Sequence, residues 1–403
     1  MTSVGVQSSS VQDLSEDMAC QTNRAAAPAK VRVLHLHSGN MYGGVETLLV
    51  VLAKLRHLCP GMEPCFGLCF EGRLSRELEA CGAEVHLLGG VRMSRPWTVW
   101  RARGRLADLL DRERFDAVIC HQHWPLVVFG RTARAAGQKV VLWAHNYHGG
   151  RGWLERRAER VSPDLAISDS ASVAGTMSNI YPGVPGCVLY YPLALVDAPE
   201  APQWRLGVRS EQGIADGTVV IIQVSRFEPW KGHLLHLRSL ARLSSQNWIC
   251  WIVGGPQNPL SQRHYEAVRQ TAVDLGISDR VRFLGERSDV QKLLAAADIF
   301  CQPNEGPEPF GIVFVEALWA GRPVVTTAMG GPLEILNESC GLMAEPGNEA
   351  QIAQQLDRLI QSSELRARLG EAGPVRAREL CDPATQMESL RRLMVGMIEG
   401  KVQ

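Results

Sequence analysis

From residue 31 onward, short runs of consecutive apolar residues alternate with longer stretches of helical periodicity, and this rhythm breaks once and restarts. Before the break the runs fall at 31–37, 65–70, 84–88, 116–121, 139–144, 164–168 and 187–191; after it they fall at 218–225, 247–254, 281–285, 298–302 and 323–327. Most are continuously apolar rather than alternating, the mark of strands covered on both faces in a parallel sheet. Between them, spacings such as Val45, Leu48, Leu49, Leu52 and Leu55 give helices with one apolar face. The order is βαβ throughout, which predicts α/β architecture with doubly wound parallel sheets. The stretch 191–217 carries Pro192, Pro199 and Pro202 and few apolar runs, and reads as a connection. Two Rossmann-like domains in tandem follow, with boundaries at 30–197 and 198–382, a last helix from about 383 that packs back on the first domain, and a disordered leader at 1–29. A chain of 403 residues is long enough for two cores. Ligands of such sheets sit beyond the carboxyl ends of the strands, so two facing sheets share one cleft.

Charge and cysteine content narrow the function classes. Lys plus Arg and Asp plus Glu number 42 each, which gives no general pull toward nucleic acid. No apolar run reaches the roughly 20 residues that cross a bilayer. The 11 cysteines are odd in number and lack paired CxxC spacing. Reduced thiols and a cytoplasmic location are therefore expected, which leaves room for a peripheral contact with the inner face of a membrane.

Three loops at strand ends carry residues suited to a ligand. Ser38–Gly44, with Gly43 and Gly44, lets backbone approach a phosphate at a helix start, or simply turns the chain. Ser225–Gly232 places Arg226 and Lys231 after the first strand of the second domain, a planar fork and a point charge that suit a diphosphate; a solvated loop is the plainer alternative. Asn304–Glu316 spaces Glu308 and Glu316 eight apart, with a helix predicted to start near Gly311 and the amides of Phe310 and Gly311 at its head. Two carboxylates and free amides grip hydroxyls. His121 and His123, i and i+2 in a predicted strand, are a candidate metal pair or acceptor-pocket residues. Tyr147, His148, Arg151 and Trp153 follow a strand end and are candidates to line an acceptor site or to pack.

With these loops in this order, the chain resembles the retaining GT-B glycosyltransferases of family four. Glu308-Pro-Phe-Gly-Ile-Val-Phe-Val-Glu316 is similar to their E-x7-E signature, and Arg226 with Lys231-Gly232 to their diphosphate motif. The resemblance implies a GT-B fold and transfer of a hexose from a UDP- or GDP-sugar, GDP-mannose among them, with retention at the anomeric carbon. It implies no cofactor and no metal beyond the nucleotide sugar as co-substrate, and a glycan, lipid-linked or small-molecule acceptor, as in polysaccharide biosynthesis. It further implies that Arg226 and Lys231 neutralise the diphosphate, that Glu316 binds ribose, and that Glu308 with the Phe310 and Gly311 amides holds the sugar. Gly43 and Gly44 close over the phosphate, His145 lies near the reacting sugar, and the loop ending at Arg287 faces the base, mainly through its backbone. A sugar-nucleotide epimerase of related fold, or a partner subunit without turnover, are the alternatives.

Overall fold

The computed structural model describes residues 30–40, 43–194 and 198–401; the leader expected at 1–29 and two residues of the first glycine loop, Met41 and Tyr42, lie outside the described residues. The first sheet comprises β1 (Val31–His37), β2 (Met62–Leu68), β3 (Glu84–Leu87), β4 (Ala117–His121), β5 (Lys139–Ala144), β6 (Leu165–Ser168) and β7 (Gly186–Val188), in the order β3-β2-β1-β4-β5-β6-β7. The second comprises β8 (Val219–Val224), β9 (Trp248–Val253), β10 (Val281–Gly285), β11 (Ile299–Gln302), β12 (Val324–Thr327) and β13 (Gly341–Ala344), in the order β10-β9-β8-β11-β12-β13. Every pairing is parallel. The winding reverses between β1 and β4 and again between β8 and β11, and the glycine loop and the Arg226–Lys231 loop follow β1 and β8, at those switch points.

Sequence periodicity missed some boundaries for local reasons. β2 begins three residues before the expected run and contains Pro64, a residue that argues against a central strand. The run at 187–191 is a strand only to Val188, after which Tyr190 and Tyr191 leave the sheet toward the second domain. The proline-rich stretch 191–217 is not wholly a linker: it holds the helix Ala201–Glu211, with Pro202 in its first turn, where the missing N–H costs nothing. Arg205 and Arg209 of that helix pair with Asp298 at 2.5 and 3.0 Å and fasten it to the second domain. β13 is four residues long and opens on glycine, too short for a periodic signal.

One buried apolar cluster runs through both domains, from Val33 and Leu49 through Phe310 and Leu318 to Met387 and Met394. The last helix, Pro383–Ile398, crosses back and packs against β1. Among the described residues no helix is long and apolar enough to cross a membrane, and the ten described cysteines are all free.

Candidate functional site

The site is built where the loops after β8 and β11 meet the head of the helix Ile312–Trp319. Glu308 is pinned by backbone before its side chain does anything. It forms an isolated parallel bridge with Gly330, and its carbonyl accepts from Gly331 N at 2.7 Å. Gly330 has φ +69° and a Cβ there would stand 2.4 Å from the Glu308 carbonyl oxygen, so only glycine allows this approach. The Glu308 carboxylate, 7% exposed, accepts from Lys231 Nζ at 2.6 Å, Gln302 Nε2 at 3.3 Å and Asn304 Nδ2 at 3.4 Å. Gln302 and Asn304 are fully buried, and neither was singled out from sequence, where amides at a strand end carry no distinctive pattern. Lys231 also lies over the Trp230 ring, 4.0 Å from its centroid. The loop that carries it turns at Gly232 (φ +72°), where a Cβ would collide with the Pro303 carbonyl. Lysine and glutamate are thus held together by two loops that touch.

Arg226 stands nearer to solvent. Its side chain is 43% exposed and 3.3 Å from Glu228, and its charge opposes the burial that raises the Glu46 carboxyl across the cleft. Gly43 caps the helix Gly44–Lys54, and a Cβ on Gly44 would meet the Ile312 side chain at 3.4 Å. The glycine loop of the first domain therefore faces the helix head of the second. That head presents the first amides of the helix after Phe310 and Gly311 (φ +99°), without intrahelical partners and at the positive end of the helix. Phe310 is 1% exposed, its ring stacked on Tyr190 at 5.6 Å and edge-on to Tyr191 at 5.2 Å.

Glu316 lines a cavity of about 580 Å³ between the domains, with Thr47 and Val51 on one side and Gln291 and Trp319 on the other. Burial pushes its carboxyl up to about 7. The Arg287 guanidinium grips Asp289 through two bonds of 2.8 Å, which leaves the backbone of its loop for any ligand, as expected from sequence for that loop's contact.

His145 lies just beyond the end of β5, buried. It belongs to a buried chain in which His35 Nδ1 meets His121 Nε2 at 2.9 Å, His121 Nδ1 meets His145 Nε2 at 3.0 Å, and His145 Nδ1 meets the Tyr191 hydroxyl at 2.6 Å. Tyr191 donates to Asp169 Oδ2 at 3.1 Å. With that direction fixed, each imidazole donates through Nδ1, and His121 and His145 accept through Nε2, while the buried His35 Nε2 has no partner among the described residues. Burial holds the three rings neutral, well below the usual histidine range. Both nitrogens of His145 are engaged, the second with the hydroxyl of Tyr191, whose ring lies against Phe310. Burial also raises Asp169 to about 7.

The proposed metal pair of His121 and His123 does not form. β4 ends at His121, Gln122 turns at φ +77°, and His123 starts a helix on another side. His123 instead lies with His148 and Glu155, one potential ligand atom of each within 4.8 Å of the others. The Glu155 carboxylate already accepts from Gly149 N and Gly152 N. Glu84, His86 and Glu113 make the second such group among the described residues, and Arg32 bridges its two carboxylates at 2.8 and 3.2 Å.

Two further contacts join the domains beside the site. Tyr147 donates to the Glu308 carbonyl at 3.0 Å. Glu334 accepts from Ala171 N and Ser172 N, both at 2.8 Å, and from the Tyr190 hydroxyl at 3.1 Å. Glu334 was invisible in sequence because its partners are backbone amides more than 160 positions away.

Residues 207–376, most of the second domain, match the sequence profile of the Glycosyl transferases group 1 family. The D-inositol 3-phosphate glycosyltransferase of Corynebacterium efficiens is 33% identical over 191 residues, covering 45% of this chain and 44% of that protein. The aligned stretch therefore spans less than half the length of that relative. The human alpha-1,3/1,6-mannosyltransferase is 25% identical over 323 residues, 72% of this chain and 75% of its own. The structure of HepE from Anabaena in complex with UDP and glucose superposes with a TM-score of 0.79 at 22% identity, over 91% of this chain and 99% of that one. The fold is the two-domain GT-B architecture that these likenesses share.

Proposed function

We propose that the chain is a glycosyltransferase that moves a hexose from a UDP- or GDP-sugar to an acceptor, with retention at the anomeric carbon and without a cofactor or a metal ion in the reaction. The observation that carries this is the Lys231–Glu308 pair at the head of the helix Ile312–Trp319, opposite the Gly43–Gly44 turn. On this reading the diphosphate lies between Arg226, Lys231 and the helix head, and the sugar lies against Glu308. The bond from the anomeric carbon to the diphosphate breaks, the acceptor oxygen bonds to that carbon on the same face, and the acceptor proton passes to the departing phosphate oxygen. Charge on that oxygen is met by fixed cations and amides where it develops. Glu308 is not assigned as a nucleophile, because Lys231, Gln302 and Asn304 already hold its carboxylate. The acceptor, a glycan, lipid-linked or small molecule, enters from the first domain. Transient EDTA treatment leaves turnover within about two-fold, and added Mg²⁺ or Mn²⁺ does not raise it, since Arg226 and Lys231 supply the charge a metal supplies elsewhere; abolition by EDTA with rescue by Mn²⁺ contradicts this.

Glu316 is assigned to the ribose hydroxyls. Removing one charged hydrogen-bond partner costs roughly 1.5–3 kcal/mol, so Glu316→Ala weakens nucleotide binding on the order of 10- to 100-fold in calorimetry. Its raised carboxyl adds a pH signature. A carboxyl raised to about 7 favours the protonated form in the folded state, so its contribution to stability is fully present below the ordinary carboxyl value of 4.5 and is lost as pH rises through 7. The ionised form accepts from ribose, so affinity for an intact nucleotide sugar rises about tenfold from pH 6 to pH 8. In Glu316→Gln that slope flattens; an unchanged slope places the titrating group elsewhere. A thermal-shift panel of nucleoside diphosphates and their sugars tests the donor class, since ligand binding to the native state raises stability.

A further inference from the structure

We infer that the rim of the first domain carrying Trp97 and Trp100 docks on an anionic lipid bilayer. The helices Pro96–Arg112, His123–Ala135 and Trp153–Ala158 follow β3, β4 and β5 of one parallel sheet, so all three begin at its carboxyl edge, beside the cleft. The first packs on the second and the second on the third, which sets their starting ends side by side. Large apolar side chains stand in solvent at these ends: Trp100 is 79% exposed, Trp97 59% and Trp153 54%. Soluble surfaces rarely gather such residues without a partner.

Arginines dominate the charges around them. From residue 92 to 107 the chain holds Arg92, Arg95, Arg101, Arg103 and Arg105 and no Asp or Glu, although the whole chain is neutral. Arg103 turns inward to the Val127 and Val128 carbonyls, and the other four are exposed. Arg151, Arg156 and Arg157 flank Trp153, and the nearest acid, Glu155, faces the Gly149 and Gly152 amides. The apolar layer beneath is already filled: Ala102, Leu106 and Leu109 of the same helix are buried in the domain core. The tryptophans therefore are not a core face left open. Indole rings prefer the boundary between hydrocarbon and headgroup, and arginines beside them meet anionic headgroups. A bilayer supplies both over one plane, an apolar layer for two rings at helical spacing and anionic headgroups for the arginines around them. Docking in this pose turns the cleft mouth toward the lipid.

Co-sedimentation of the full chain with vesicles reads this without turnover, so it stands or falls apart from the assigned reaction. Vesicles of phosphatidylcholine with phosphatidylglycerol bind the protein, and vesicles of phosphatidylcholine alone bind it at least tenfold less. Raising the salt from about 0.1 M to about 1 M, which shortens the screening length from about 10 Å to about 3 Å, releases most of it. Trp97→Ser with Trp100→Ser lowers partitioning at least tenfold. Each arginine near the surface is worth about fivefold, so Arg95→Glu with Arg101→Glu lowers it on the order of 25-fold or more. All four positions are exposed, so the melting temperature is unchanged and folding is not in question. Absence of binding to the anionic vesicles, binding that ignores salt, or undiminished binding by both double variants overturns the inference.

Discussion

Lys231→Ala lowers kcat/KM by on the order of 10²- to 10³-fold, the scale of losing one fixed group that stabilises developing charge. The ammonium is not a loose surface cation. It is held at 2.6 Å from Glu308 and 4.0 Å from the Trp230 ring centroid, on a turn that Gly232 fits against Pro303. Its position is therefore set before a donor arrives, and no reorganisation is spent when the diphosphate departs. Arg226, exposed on the same loop, compensates in part, which keeps the loss from being total. The substitution also removes the main partner of a buried carboxylate, so the melting temperature must be measured alongside, and Lys231→Arg serves as the control that keeps the charge. Steady-state kinetics with a saturating acceptor reads the effect. A variant that folds normally and keeps kcat/KM within about threefold removes Lys231 from the reaction.

Glu308→Gln loses most turnover while donor affinity stays within a few-fold. The carboxylate faces the sugar in this account, not the nucleotide, and its interaction strengthens as positive charge builds on the ring. An interaction made only in the transition state lowers kcat and kcat/KM together. Glutamine keeps the shape and one carbonyl acceptor, so the bonds from Gln302 and Asn304 survive and the backbone bridge to Gly330 is untouched. Donor binding by calorimetry and turnover by release of nucleoside diphosphate separate the two effects. Wild-type kcat, or a donor affinity that collapses with kcat, refutes the assignment.

Much of this was legible in the sequence because continuous apolar runs of strand length have few other meanings. All twelve runs overlap strands, and the loops after β1 and β8 fall at the switch points of the two sheets. Local signals failed where long-range contacts decide. Gln302, Asn304, Tyr191 and Glu334 are brought in by packing between distant loops. His35 and His121 sit on β1 and β4 and His145 directly follows β5, and only the strand order β1-β4-β5 reveals that their rings link into one chain. A helix that starts with proline was read as a linker because proline marks both.

The central claim is that this cleft breaks the bond between a sugar and a nucleoside diphosphate. Time-resolved NMR of the protein with a panel of UDP- and GDP-sugars, with water as the acceptor of last resort, reads that bond directly. The account predicts that one donor class releases its nucleoside diphosphate and a free hexose whose first-formed anomer matches the donor, and that Glu308→Gln slows both together. A nucleotide sugar that emerges isomerised with its diphosphate still attached contradicts it, as does a donor that binds and is returned unchanged across a broad acceptor panel.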